Sequence, residues 1–281
     1  MNYRHAFHAG NFADVHKHIV LLALIERLKR KATPLFFLDT HAGRGRYDLQ
    51  SSDAMRGNEA RNGAGRLQGT NPAAADIRNY MLAAGLATEK NAVPLRHYAG
   101  SPVLALDALR DGDRAVFVEQ QTVEARVLEE SLSRRRGVSV VCGDGYAALK
   151  TYLPPRENRG LVLLDPPYES EREFVEVERA LIAGLQRWPN GVFAAWYPIK
   201  AGRDAQRLHA ALQKSGLRKL LLLELNVRPA DSPIALNGSG LIIANPPWQF
   251  DDEMRVTLAE LHRLLSPEGT GGSNVEWLVG E

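Results

Sequence analysis

At 281 residues, with 44% hydrophobic and 24% charged residues and a net charge of +2, the chain can bury a sizeable core as one large α/β domain. No apolar run approaches the ~18–20 residues of a membrane span. The opening from Met1 to Lys17 mixes polar, aromatic and histidine residues, so a cytoplasmic place is expected. A lone cysteine, Cys142, excludes an internal disulfide, and its place in Val138-Ser139-Val140-Val141-Cys142 suggests a small buried hydrophobe.

The charge is unevenly spread. Residues 1–31 hold six Lys/Arg (Arg4, Lys17, Arg27, Lys29, Arg30, Lys31) against Asp14 and Glu26, and Arg44, Arg46, Arg56, Arg61 and Arg66 follow. A local basic excess of this kind suits a phosphate-backbone partner, and equally a solvated surface.

In chain order, an amphipathic helix is expected over about 14–31, with Asp14 as N-cap and Val15, Ile19, Leu22, Ile25 and Leu28 on one face. His18 shares that face and Lys17 points elsewhere. His5, His8, His16 and His18 crowd this region, but their spacing matches no standard zinc pattern and no cysteine accompanies them, so no metal is expected. A short buried strand, Pro34 to Leu38, then leads through Asp39 into the small-residue turn His41-Ala42-Gly43-Arg44-Gly45, where glycines let backbone approach a ligand closely. Residues 47–97 break the pattern, with one helix near 73–86, and read as an inserted subdomain within a single domain spanning 1–281.

Regular alternation follows. A helix opens at Ser101-Pro102, and then come strand 114–119, helix 121–136, strand 138–142, helix 146–152, strand 161–165, helix 171–187, strand 191–197 and helix 203–215. The chain closes with strands 218–227 and 240–245, read as an antiparallel hairpin at the sheet edge, and a helix of about 250–265. The expected fold is a Rossmann-like, mostly parallel seven-stranded sheet with helices on both faces.

Three strand ends converge on a nucleoside-like ligand: the turn at Gly43, the acid Glu119 closing Phe117-Val118-Glu119, and Asp144 in Cys142-Gly143-Asp144-Gly145. Glu119 can reach both hydroxyls of a ribose. Asp144 can accept from an adenine amine or cap the next helix.

A fourth end carries the chemistry. The apolar run Leu161-Val162-Leu163-Leu164 ends in Asp165-Pro166-Pro167-Tyr168, where the prolines stop the strand. A carboxylate beside a proline carbonyl offers two acceptors to one exocyclic amine, favouring its pyramidal, nucleophilic form, and Tyr168 offers a stacking face worth roughly 1–3 kcal/mol per base. A similar segment, Asn245-Pro246-Pro247-Trp248, follows Leu241 to Ala244. If that strand is antiparallel, its end lies on the opposite edge, and a structural role is expected.

The order of these parts resembles class I S-adenosylmethionine-dependent methyltransferases. Tyr3-Arg4-His5, Phe7 to Asn11, Ala13-Asp14-Val15, Lys17-His18, Leu38 to Gly43, Gly100-Ser101-Pro102, Asp165 to Glu169, Trp196-Tyr197-Pro198 and Gly269-Thr270-Gly271 further resemble the bacterial 23S ribosomal RNA adenine-N6 methyltransferases of the RlmJ family. The resemblance implies methyl transfer from S-adenosyl-L-methionine, leaving S-adenosyl-L-homocysteine, to an adenine N6 in 23S ribosomal RNA before full ribosome assembly, by a monomer. It implies catalytic roles for Asp165, Pro166 and Tyr168. It lines the cofactor with His18, His41, Gly43, Ser101, Glu119, Asp144, Gly145 and Asp165, and borders the RNA with Tyr3, His5 and Lys17. The alternatives are a DNA adenine-N6 methyltransferase, against which the modest insertion argues, and an inactive RNA-binding scaffold of the same fold.

Overall fold

The computed structural model describes residues 5–89, 93, 95–132, 135–229, 231–233 and 236–280; Tyr3 and the His5 side chain lie outside them. After a 3-10 turn at His5–Phe7, helix α1 (Phe12–Lys29) begins. Its cap is Asn11, whose side chain accepts from Asp14 N at 2.9 Å. Asp14 is therefore not the cap, and its carboxylate takes other partners. Nor does α1 have a solvent face. It is covered by the sheet on one side and by later helices on the other, so Lys17 is buried along with Val15, Ile19, Leu22 and Ile25. Burial of each such aliphatic side chain contributes roughly 1.5–3 kcal/mol.

Strand β1 (Phe36–Asp39) follows. A small antiparallel ribbon of β2 (Arg46–Asp48) and β3 (His97–Ala99) brackets four helices, α2 (Ser52–Gly57), α3 (Glu59–Asn62), α4 (Ala64–Leu67) and α5 (Ala75–Ala83). Then come α6 (Ser101–Ala108), β4 (Arg114–Glu119), α7 (Thr122–Leu132), β5 (Val138–Cys142), α8 (Gly145–Tyr152), β6 (Gly160–Leu164), α9 (Arg172–Arg187), β7 (Val192–Ile199), α10 (Asp204–Lys214), β8 (Leu220–Asn226), β9 (Gly238–Ala244), α11 (Phe250–Leu265) and β10 (Gly272–Val279).

The main sheet runs β10-β8-β9-β7-β6-β1-β4-β5. Its β7-β6-β1-β4-β5 part is parallel, and chain order reverses direction beside β1, the place where open α/β sheets bind ligands. One face packs under α1, α5, α6, α7 and α11, the other under α8, α9 and α10.

The expected closing hairpin forms, but away from the edge: β9 slots between β7 and β8, antiparallel to both. The edge belongs to an eighth strand, β10. Its sequence, Gly272-Ser273-Asn274-Val275-Glu276-Trp277-Leu278-Val279, lacks a continuous apolar run because an edge strand is half exposed. The same reason overturns the expectation for Cys142, which is exposed because β5 forms the other edge.

Candidate active site

A cavity of about 800 Å³ opens at the carboxyl ends of the parallel strands. Its walls include Lys17, His18, His41, Gly43, Ser101, Glu119, Asp165, Pro166 and Tyr168. Asp144 and Gly145 stand apart from it. Asp144 caps α8, its Oδ1 accepting from Tyr146 N at 2.8 Å and Ala147 N at 3.2 Å, while Gly145 packs so closely on the Thr40 carbonyl that no Cβ would fit.

The turn after β1 owes its shape to Gly43, at φ 63°, where a Cβ would strike the Tyr47 hydroxyl. Gly43 N donates to Glu119 Oε2 at 2.9 Å and Gln121 N to Oε1 at 2.7 Å. These bonds fix the carboxylate and still leave lone pairs for hydroxyls of a ligand.

Asp39 is fully buried; its Oδ2 accepts from Ser101 Oγ at 2.7 Å and its Oδ1 from His41 N at 3.2 Å. Burial pushes its carboxyl up to about 7. When Asp39 is ionised, the Ser101 proton is committed to it and Ser101 offers lone pairs to the cavity. His41 stands edge-on to Tyr146, and burial holds it down to about 4, so its ring is neutral at pH 7.

His18 belongs to a buried chain: its Nδ1 lies 2.8 Å from Tyr98 Oη, which lies 3.1 Å from Tyr80 Oη. Burial raises both phenols, so both hydroxyls keep their protons. Tyr80 has no other acceptor among the described residues, so reversing the chain would orphan a buried donor at about 1–3 kcal/mol. Tyr80 therefore donates to Tyr98 and Tyr98 to His18 Nδ1, which places the imidazole proton on Nε2.

At the other end of the cavity, Lys17 Nζ lies 2.9 Å from Asp14 Oδ1 and 2.5 Å from Asp165 Oδ2. Burial works against the Lys17 ammonium, but the two carboxylates outweigh it and lift its pKa above the ordinary lysine value. Asp14 Oδ2 accepts from Gly10 N at 2.9 Å, tying the opening segment to the same cluster. Asp165 Oδ1 makes no hydrogen bond among the described residues. Beside it Pro166 supplies a carbonyl with no N–H of its own to compete. The Tyr168 ring packs on Phe174 and edge-on against Trp196, and its hydroxyl donates to the Trp196 carbonyl at 2.8 Å. The Trp196 ring in turn lies 5.7 Å from Lys17 Nζ, with its Nε1 donating to Ser239 Oγ at 2.9 Å.

Asn245 lies on the opposite edge, at the end of antiparallel β9. Its φ is 53° and its Nδ2 donates to the carbonyls of Pro189 at 2.8 Å and Gly191 at 2.9 Å, while Trp248 is 84% exposed. It latches a loop and is remote from the cavity.

Asp14, Asp39, Glu59, Tyr80, Tyr98 and Trp196 have no site role in the sequence analysis, although Asp14, Asp39 and Trp196 stand in its motifs. The i, i+3 spacing of Asp14 and Lys17 was a usable signal; the pairing of Tyr98 with His18 had none, since they are 80 positions apart. The crowded histidines take separate partners: His8 faces Glu59, His16 faces Ser239 and His18 faces Tyr98.

The chamber suits S-adenosylmethionine. A ligand carrying a sulfonium and an ammonium matches walls that hold Asp14, Glu119 and Asp165.

A family model described as ribosomal RNA large subunit methyltransferase D, RlmJ, matches residues 32–279. The chain is 40% identical over 283 residues to a Haemophilus influenzae protein described as ribosomal RNA large subunit methyltransferase J, with 100% of both covered. An Escherichia coli protein of the same description is 37% identical over 281 residues, again with 100% of both covered. A crystal structure of a Legionella pneumophila protein superposes with a TM-score of 0.86 at 31% identity, over 96% of this chain and 98% of that one.

Proposed function

This chain belongs to the RlmJ family of ribosomal RNA large subunit methyltransferases, and from that premise we propose that it methylates the N6 amine of one adenine in 23S ribosomal RNA. The observation that carries the reading is the pairing of Asp165 with Pro166 at the end of β6, facing a cavity whose far wall holds Glu119, Gly43, Ser101 and His18.

S-adenosylmethionine supplies an electrophilic methyl group on sulfur. Glu119 would hold its ribose, Ser101 its ammonium and the His18 Nε2–H its carboxylate, with His41 and Gly43 closing the wall. Asp144 and Gly145 support this wall from behind, through the α8 cap and the contact with Thr40.

On the acceptor side, Asp165 Oδ1 and the Pro166 carbonyl accept the two amine hydrogens. They draw the nitrogen lone pair out of conjugation, an effect stronger in the transition state than in the ground state. Lys17, gripping Asp165 Oδ2, sets the direction in which Oδ1 points. Tyr168, held by Phe174 and the Trp196 carbonyl, presents its ring to the base. The adenine must be unpaired to enter.

Residues 47–97 act as an inserted subdomain of a single domain and help hold the opening segment in place. Ala64 N donates to Gly10 O at 2.9 Å, and Glu59 accepts from Asn11 Nδ2 at 3.0 Å. Tyr3 and His5 lead into that segment and complete the RNA side. The protein works as a cytoplasmic monomer on RNA that is not yet fully assembled into ribosomes. Relatives described as RNA methyltransferases favour RNA over duplex DNA, and the complete acceptor set disfavours an inactive scaffold.

The test is nucleoside mass spectrometry on unmodified 23S ribosomal RNA incubated with S-adenosylmethionine and either this protein or Asp165→Ala. N6-methyladenine is expected only with the unsubstituted protein. Its absence there, with duplex DNA methylated instead, overturns the RNA assignment.

A further inference from the structure

The arginines differ in what holds them. Arg44 is forked onto Glu124 with both contacts at 2.6 Å, and Arg27, Arg110 and Arg114 face Glu253, Asp113 and Glu157. Their charges are neutralised in place. Arg66 and Arg228 are held by backbone carbonyls: Arg66 Nη1 donates to Leu265 O and Arg228 Nη1 donates to Leu236 O at 2.5 Å. Neither faces an acid in an ion pair among the described residues. A carbonyl anchor orders a guanidinium without cancelling its charge and leaves most of its five N–H donors for a ligand.

Both arginines line a second cleft of about 180 Å³. Phe12, Asn62 and Arg228 border this cleft and the large cavity alike, so the cleft opens directly off the acceptor side, where Trp196 and Lys200 also stand. Its floor is built in advance. Thr270 Oγ1 donates to Val227 O at 2.9 Å and Ser266 Oγ to Thr270 O at 2.8 Å, stapling the loop after α11 to the end of β8. Glu268, exposed, is the one acid among the described residues lining the cleft, and it repels phosphate from that lip toward the arginine side.

We propose that this cleft seats the sugar–phosphate backbone of unpaired RNA next to the target adenine, Arg228 taking the phosphate at the cavity mouth and Arg66 the next one outward. The proposal rests on the reading of the chain as a ribosomal RNA methyltransferase. It gives two carbonyl-anchored cations, brought together at the mouth of the cavity, a common ligand. It also defines the direction in which the strand leaves the pocket, between α1 and the loop that follows α11.

The experiment uses Arg66→Gln and Arg228→Gln, singly and together, with Glu268→Gln as a surface variant of opposite sign. Glutamine keeps an N–H for the carbonyl and removes the charge. Binding of a fluorescently labelled single-stranded fragment of 23S ribosomal RNA is followed by anisotropy between 50 and 200 mM salt. Cofactor affinity of the same proteins is measured by calorimetry, and methylation of the same RNA by the unsubstituted protein by mass spectrometry. The double variant should bind RNA about tenfold more weakly, with a log–log salt slope shallower by about 1.4, at ~0.7 per single-strand phosphate contact. Its cofactor affinity should stay unchanged, and Glu268→Gln should bind RNA more tightly. Unchanged RNA affinity and slope in a double variant that still binds cofactor would overturn the cleft assignment. If the unsubstituted protein leaves the RNA unmethylated, the functional reading falls, and the salt slope still decides whether the cleft holds phosphates.

Discussion

Lys17 Nζ lies 2.5 Å from Asp165 Oδ2, joining the middle of the first helix to the end of the central strand across 148 positions of chain. Asp14 grips the same ammonium from the other side at 2.9 Å. One buried cation thus sits between two carboxylates, and the three residues differ in what their loss does. Lys17→Met leaves two carboxylates close together with nothing between them. It should cost about 3–5 kcal/mol of stability, read as a fall in the chemical-denaturation midpoint. Asp165→Ala leaves the Lys17–Asp14 pair whole and should fold normally while methylation drops at least about a hundredfold, the scale of a lost transition-state contact. A single-turnover assay beside a thermal melt separates the two effects.

Asn245→Ala tests the look-alike segment. Loss of its bonds to the Pro189 and Gly191 carbonyls, together with an unfavourable φ of 53° for alanine, should cost about 1–3 kcal/mol. Methylation by the folded fraction should stay near the level of the unsubstituted protein. A loss as deep as that of Asp165→Ala would move the catalytic assignment to β9.

Tyr80 lies outside the cavity, yet it heads the chain that sets the His18 proton on Nε2. Tyr80→Phe removes that direction and should weaken cofactor binding about fivefold, the equivalent of ~1 kcal/mol, with RNA binding unaffected. The nitrogen chemical shifts of His18 should report a mixture of tautomers in the variant and a single tautomer in the parent. A purely structural role for Tyr80 would leave those shifts alone.

His16 is fully buried, bonded through Nδ1 to Ser239 Oγ at 3.0 Å, and burial holds it down to about 3. The unfolded chain takes up a proton near pH 6.5 that the folded chain refuses. The stability His16 contributes is therefore present above pH 6.5 and is lost as the pH falls toward 3. Asp39 acts with the opposite sign between about 4 and 7, because its folded carboxyl is raised. Urea titrations at several pH values should show a shallower acid-side decline for His16→Asn than for the unsubstituted protein, and the difference between the two cancels Asp39. Parallel curves would remove His16 from the account.

Much of this was legible in one dimension. Buried parallel strands write themselves as unbroken apolar runs, and the residues that end them fall at one edge of the sheet, so Glu119 and Asp165 were found with the turn at Gly43. The antiparallel sense of β9, and with it the dismissal of Asn245, followed from two strands in succession without a helix between them. Folding decided what depends on who covers whom. Whether α1 had a wet face hung on helices placed later in the chain, and their arrival turned Lys17 from a surface charge into the buried link between Asp14 and Asp165. The edge strand β10 was hidden because half exposure erases the apolar run, and Cys142 was misjudged for the same reason. Asp144 took the cap role, one of the two that the sequence offered it, and Tyr98 became the partner of His18 by a contact that leaves no trace in spacing. Periodicity records only burial along a single element. The meeting of side chains from distant elements is set by packing, and packing exists only in three dimensions.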